Sequence, residues 1–420
     1  FPGCPGQAAA PETPLGALLR PPRIALMTTE PSGDRLGASV IRALRARAPD
    51  AEFFGMPGPR MREAGCESLE PMESVAVMGI IEVLKRYRSL ARLRARLVED
   101  IRARSPDVVV GIDAPDFNLG ALKRFGRSGI PRVQLVSPQV WAWRRGRVRS
   151  VAASCDLLLS IFPFEAALYD GQPLDVKFIG HPVADEFPLN PDRAAARARL
   201  GCSDPNRRVL AVLPGSRSQE IAHLAAPFFE TAALLGASHA NLEVLCPCVN
   251  PAHKARLEEI CAAAAPTLRV RFLEGLGREV LAAADVALVA SGTATLESML
   301  ARTPMVVGYR MPRFNFAIVR RLVKVPFIAM PNLLAGHELV PEYIQDAVQP
   351  AALAEALDDW LCDDDRRATF VSEAATLHET LCRDASATAA EAILNVIAES
   401  LSPIQANAKR RPSSGAPTCP

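Results

Sequence analysis

Short runs of apolar and β-branched residues alternate along this chain with longer stretches whose apolar positions recur at helical spacing. That alternation predicts βαβ units and parallel sheets. Strands are expected in the first half at Ile24–Thr28, Glu52–Gly55, Val108–Ile112, Val133–Ser137, Leu157–Ile161 and Val176–Ile179. A second series is expected at Val209–Leu213, Leu242–Cys246, Val270–Leu273, Val286–Ala290 and Met305–Val307. Between them, "GHPVADEFPLNPDRAAARARLGCSDPNRR" has the Pro, Asn and Asp content of a connection between domains. The pattern predicts an α/β protein of two doubly wound parallel-sheet domains facing across a cleft, at 23–190 and 191–350, with helices over 351–401. Residues 1–22 read as a flexible extension and 402–420, rich in Pro, Ser and basic residues, as a disordered tail.

Composition supports two cores, because 420 residues of which 49% are hydrophobic exceed what one core usually organises. No run approaches about 18 consecutive apolar residues, so no spanning helix is expected. The ten cysteines form no C-x-x-C pair, and Cys246 and Cys248 read as ordinary buried thiols. Charge is unevenly spread: residues 1–200 carry a net +6 and residues 201–420 a net −4. The first half is therefore the one suited to an anionic partner. Nucleic acid is not expected, since no reading motif or aromatic-interleaved basic sheet is present.

In open α/β sheets ligands bind beyond the carboxyl ends of the strands. Four loops stand there: "TTEPSGDRLGA", "GIDAPDFN", "LPGSRSQE" and "ASGTATLE". None carries the G-x-G-x-x-G or G-x-x-x-x-G-K-[ST] spacing of dinucleotide or P-loop sites. The last two still suit phosphate, because a small-residue turn opening a helix presents free N–H groups and a positive dipole end. "GIDAPDFN" sets Asp113 and Asp116 at the mouth of a wholly apolar strand, where a carboxylate either caps a helix or reacts. Spacing alone leaves both readings open.

Taken in order, "EPSGDRLGA" (Glu30–Ala38), "PMESVAVMGIIEVL" (Pro71–Leu84), "GIDAPDFN", "VSPQVWAW" (Val136–Trp143), "FPFEAALY", "FIGHP", "LPGSRSQE", "SGTATLE", "PMVVGYRM" and "PNLLAGHELVPEYIQ" (Pro331–Gln345) resemble the lipid-A-disaccharide synthase family. These are inverting glycosyltransferases of the GT-B architecture, with two Rossmann-like domains. The resemblance runs from Arg23 to about Ser400, with two departures: Thr29 stands where the family usually has Gly, and Gln139 where it usually has Ser. It implies transfer of 2,3-diacylglucosamine from its UDP donor to 2,3-diacylglucosamine 1-phosphate (lipid X), giving a β-1,6-linked disaccharide 1-phosphate and UDP. It also implies work in the cytoplasm, peripherally on the inner membrane of a Gram-negative bacterium, without cofactor or metal, and makes a second copy of the chain a candidate partner. A UDP-sugar 2-epimerase-type isomerase shares the architecture and is the alternative reading; a non-catalytic nucleotide-sugar binder would not need Asp113.

On this resemblance Asp113 is expected to be the general base and Asp116 the helix cap. Donor contacts are expected from Ser216, Arg217, Ser291, Gly292, Thr293 and Glu297, with Asn332, Glu338 and Gln345 as weaker candidates. A cation at a helix start, such as Arg217, opposes the dipole and so points to an anion. Glu297 is expected in a first helical turn without being a capping-box Glu, since residue 294 is Ala. Glu30, Ser32, Asp34, Trp141 and Trp143 are expected on the acceptor side. A membrane-facing surface is expected where Arg86, Arg88 and Arg92, and farther on Phe314 and Phe316, interleave basic and apolar positions. His181 reads as a loop histidine, and "CDDDRR" (Cys362–Arg367) as acidic residues opening a helix.

Overall fold

A computed structural model describes residues 20–76, 83–140, 145–202, 204, 206–313, 315–316, 320 and 325–401, with side chains described from 89 within the helix Val83–Ala103 and from 146 after the second gap. The chain divides into two compact units. Of the described residues, the first holds those up to Pro182 together with those from Arg383 onward; the second runs from Val183 to Cys382. The connecting segment therefore begins the second unit, and the last helix, Ala385–Leu401, belongs to the first.

In the first unit seven strands pair in parallel: β1 (Arg23–Met27), β2 (Glu52–Met56), β3 (Glu67–Ser68), β4 (Val108–Ile112), β5 (Arg132–Leu135), β6 (Leu157–Ser160) and β7 (Asp175–Phe178). Their spatial order is β3-β2-β1-β4-β5-β6-β7. Both faces of this sheet are buried, which is why its central strands are continuously apolar instead of alternating. On one face Ile24, Leu26, Val108 and Val110 pack with Val40, Ile41 and Leu44 of the helix Pro31–Arg47 and with Ile393, Leu394 and Ile397 of the last helix. On the other, Ala25, Met27 and Val109 pack with Leu93, Leu97 and Ile101 of the helix Val83–Ala103.

The second unit has six parallel strands: β8 (Arg208–Leu213), β9 (Leu242–Cys248), β10 (Val270–Glu274), β11 (Val286–Ala290), β12 (Met305–Tyr309) and β13 (Glu342–Ile344). They are ordered β10-β9-β8-β11-β12-β13. The helix Ser218–Ser238 has no unbroken apolar run of that length, yet it is long and apolar enough to cross a membrane by length and composition alone. Its apolar side, with Ile221, Leu224, Phe228 and Phe229, is instead buried in the unit's core. Cys246 and Cys248 are free and buried, as expected.

Asp34 has a structural task. Its two carboxylate oxygens accept from the backbone N–H groups of Arg60 and Met61, each at 3.0 Å, at the start of the helix Pro59–Glu63. That helix opens on Gly58 and so has no capping side chain of its own; Asp34, only 3% exposed, supplies one from a neighbouring helix. Asp34→Ala is expected to destabilise the protein by about 1–3 kcal/mol, the cost of stranding buried donors, read as a lower unfolding midpoint.

Candidate functional site

The strand orders bring the four polar loops together in pairs. In the first sheet the chain leaves β1 toward β2 on one side, while β4 lies on the other, so the loops after β1 and β4 meet at a topological switch point. In the second sheet β8 and β11 stand in the same relation, so the loops carrying Ser216–Arg217 and Ser291–Thr293 are neighbours there.

At the first switch point the Ser32 hydroxyl donates to Asp113 Oδ2 at 2.6 Å. This approach needs Gly33, because a Cβ there would lie 2.1 Å from Thr28 Oγ1 and 3.0 Å from the Ile112 carbonyl. Glu30 completes the group. Loss of water around its carboxyl, then the charges of Asp113 and Asp116, push its pKa up. The backbone is strained here: Asp113 and Ala114 have φ of 54° and 40°, and Val136, past the end of neighbouring β5, has φ of 73°. Positive φ in non-glycine residues costs roughly 1–3 kcal/mol each and collects at functional sites.

Asp116 does not cap the following helix. The helix Pro115–Leu122 begins one residue earlier than Asp116, its N-cap is Ala114 in the left-handed region, and no side chain caps it. Asp116 lies in the first turn, exposed, and pairs with Arg147 at 2.5 Å. Trp141 and Trp143 lie outside the described residues, while Gln139 is exposed and Thr29 half-buried. His181 is buried against the Phe162 ring.

At the second switch point Arg217 is the N-cap residue of the helix Ser218–Ser238, and its side chain is 84% exposed. Glu220, which the sequence reading did not single out, organises this turn. Its Oε2 accepts from the N–H groups of Ser216 and Arg217 at 3.0 and 3.2 Å, and its Oε1 from Arg217 Nη1 at 3.3 Å. A Glu at the third helical position was the available signal. From the other side His253 Nε2 lies 3.1 Å from the Gly215 carbonyl, with Nδ1 facing the Val249 N–H at 3.4 Å, so Nε2 carries the proton and donates.

On the β11 loop Gly292 and Thr293 are exposed at the start of the helix Thr293–Leu300, and the Ser291 hydroxyl donates to the Ile328 carbonyl at 2.9 Å. Glu297 is the fifth residue of that helix, one turn deeper than expected, and pairs with Arg278 at 3.6 Å.

Asn332 and Gln345 serve the scaffold. Asn332 is fully buried: its amide donates to the Val340 carbonyl and Glu342 Oε1, and its oxygen accepts from the Leu339 and Val340 N–H groups. All four of its hydrogen-bonding positions are thus spent inside the fold. Gln345 clamps the backbone of Met311, accepting from its N–H at 2.7 Å and donating to its carbonyl at 2.9 Å. Glu338 is exposed on the intervening turn. Glu342, also not anticipated, accepts from the Ile328 and Ala329 N–H groups. Burial raises its pKa, and those hydrogen bonds with that of Asn332 oppose the rise.

Of the expected membrane-facing residues, Arg92 is exposed and Phe316 half-buried; Phe314 and the side chains of Arg86 and Arg88 lie outside the described residues. Arg94, in the same basic run, turns inward over the Phe117 ring and donates to the Asp116 carbonyl.

Comparison with known proteins gives a consistent result. The lipid-A-disaccharide synthetase family profile matches residues 24–396. A lipid-A-disaccharide synthase of Sodalis glossinidius is 49% identical over 378 residues, covering 90% of this chain and 99% of its own. Among solved structures, a UDP-GlcNAc 2-epimerase from Neisseria meningitidis bound to UDP-GlcNAc superposes with a TM-score of 0.59 at 11% identity, covering 89% of this chain and 99% of the other. A glycosyltransferase from Rickettsia africae gives 0.56 at 12% identity, covering 91% and 99%. At these identities the solved structures speak for the two-domain GT-B fold alone.

Glu342→Gln replaces one acceptor oxygen of the buried carboxylate by an NH₂ that faces the Ile328 N–H. It should cost about 1–3 kcal/mol, and faster amide exchange of Ile328 and Ala329 would localise the loss to this loop.

Proposed function

The chain belongs to the lipid-A-disaccharide synthase family, and on that premise we propose that Asp113 is the general base of the transfer, with the loops after β8 and β11 holding the UDP donor. The enzyme is a glycosyltransferase that makes the lipid A disaccharide. The Asp113 carboxylate takes the proton of the acceptor 6-hydroxyl as that oxygen attacks C1 of the donor sugar from the face opposite UDP. The bond from C1 to the UDP oxygen breaks, and configuration inverts in one displacement. The observation that carries this assignment is the 2.6 Å Ser32–Asp113 hydrogen bond at the first switch point, which fixes one carboxylate oxygen and leaves the other to accept a proton. Glu30 stands beside it, on the acceptor side.

Departure of UDP develops negative charge on its diphosphate. Arg217 and the first-turn amides of the helix Ser218–Ser238 suit that charge, and Glu220 keeps the turn and the guanidinium in place. Gly292 and Thr293 add exposed backbone at the second helix start, with Ser291 bracing the loop. Glu297 is the remaining donor-side carboxylate, suited to ribose hydroxyls. The epimerase alternative rests on fold likeness alone.

The acceptor and donor carry acyl chains, which ties the enzyme to a membrane surface. The exposed Arg92 and Arg96, on a helix of the net-positive half, support a peripheral attachment to anionic lipid on the cytoplasmic face. Each such cation contributes on the order of 1 kcal/mol near an anionic surface, weakened by salt.

Asp113→Asn should lower kcat by about 10²- to 10⁴-fold while UDP binding, followed by calorimetry, is retained; near-normal turnover would refute the assignment. Arg217→Ala should raise the donor KM and slow transfer while leaving the acceptor KM unchanged. Replacing Arg86, Arg88 and Arg92 by Ser should release the protein from anionic vesicles in low salt with its circular dichroism unchanged; undiminished sedimentation with the vesicles would show the membrane contact to lie elsewhere.

A further inference from the structure

We propose that the side-chain amides of Gln134 and Asn118 are positioning residues for Asp113, holding its backbone in the left-handed conformation that aims the carboxylate at Ser32. The inference rests on the reading of Asp113 as the base and extends it to two residues that touch no reacting atom. Both amides are fully buried. Gln134 lies in β5 between Val133 and Leu135, directly opposite Gly111 of β4. Its Nε2 faces the carbonyls of Asp113, Leu135 and Val136 at 3.1, 3.1 and 3.2 Å. Asn118 Nδ2 donates to the carbonyls of Ile112 and Asp113 at 3.0 and 2.8 Å. The Asp113 carbonyl is thus gripped by two amides, and Gln134 also holds Val136, the other strained strand end.

Two further features show what this arrangement is for. Among the described residues, neither Asn118 Oδ1 nor Gln134 Oε1 has a hydrogen-bond partner. Flipping either amide would set its oxygen against carbonyl oxygens, so the orientation is forced. Each amide is therefore a compromise: its N–H groups satisfy backbone carbonyls, while its buried oxygen goes unpaired, a cost that an apolar side chain would not carry. Gly111 leaves the room the amides need: a Cβ there would lie 2.7 Å from Gln134 Oε1 and 2.8 Å from Asn118 Cβ. Both unpaired oxygens stand where the backbone of one strand end is held out of its relaxed conformation.

The test is a cycle of three variants assayed with both lipid substrates: Gln134→Leu, Asp113→Asn and the pair together. Gln134→Leu should fold, with an unfolding midpoint at or somewhat below the wild type, because three backbone carbonyls lose a donor. Its kcat should fall about 10- to 100-fold, the loss expected when a reacting group is misplaced by an ångström, with both KM values little changed. The double variant should be no slower than Asp113→Asn alone, because positioning has no value once the base is gone. A merely structural role would make the two losses multiply, and that result, or an unaltered kcat in Gln134→Leu, overturns the proposal. Full activity of Asp113→Asn would instead refute the base itself, a separate outcome. If Gln134→Leu does not fold, Asn118→Ala takes its place in the same cycle, with the same two results deciding.

Discussion

Parallel pairing of β1 with β4, which sets Met27 opposite Gly111, is the constraint from which the meeting of Ser32 and Asp113 follows. Because the strands run the same way, their carboxyl ends emerge at one edge, and residues 81 positions apart in sequence become hydrogen-bond partners. Ser32 lies in the first turn of a helix and Asp113 just past the end of a strand; neither position has meaning for the other until that register is set. The apolar faces of the sheet enforce the register, since Ile24, Leu26, Val108 and Val110 are buried on one side while Ala25 and Val109 are buried on the other. Slippage by one residue would exchange those faces and separate the pair.

The second unit uses the same geometry for a different end. Its loops after β8 and β11 open helices whose first turns are braced from behind: Glu220 and His253 hold one loop, while Ser291 ties the other to the Ile328 segment that Glu342 and Asn332 secure. Rigid backbone donors suit an anion better than mobile side chains, because no reorganisation is required as charge develops. The Arg217 side chain, though 84% exposed, is tied into the same frame by its bond to Glu220.

The central strands were legible because burial on both faces leaves an unbroken apolar run; Val108–Ile112 and Val286–Ala290 are found with the expected bounds. β3 and β13 were not, being two or three residues long at sheet edges, with Glu67, Ser68 and Glu342 among them. Motif resemblance located the loops but could not tell a ligand contact from a brace. Asp34, Asn332 and Gln345 have the residue types of a binding site, yet their polar atoms are turned inward onto backbone, a fact that exists only in three dimensions. Conversely, Gln134 was the one polar residue between Val133 and Leu135, a mismatch visible in the sequence whose purpose required the strained Asp113 and Val136 beside it.

The place of the last helix in the first unit bears on the order in which the protein is made. Ala389, Ala390, Ile393 and Ile397 fill the same core as Ile24 and Leu44, although more than three hundred residues separate them. On the ribosome the strands of the first sheet emerge early, but one face of that sheet stays open until residues 385–397 have been synthesised. Meanwhile the second unit, contiguous from Val183 to Cys382, has everything it needs to fold. The amino-terminal half is therefore the first to appear and the last to close, and a chain that stops short of Ala385 keeps its second unit intact while exposing apolar surface on the sheet that carries Asp113.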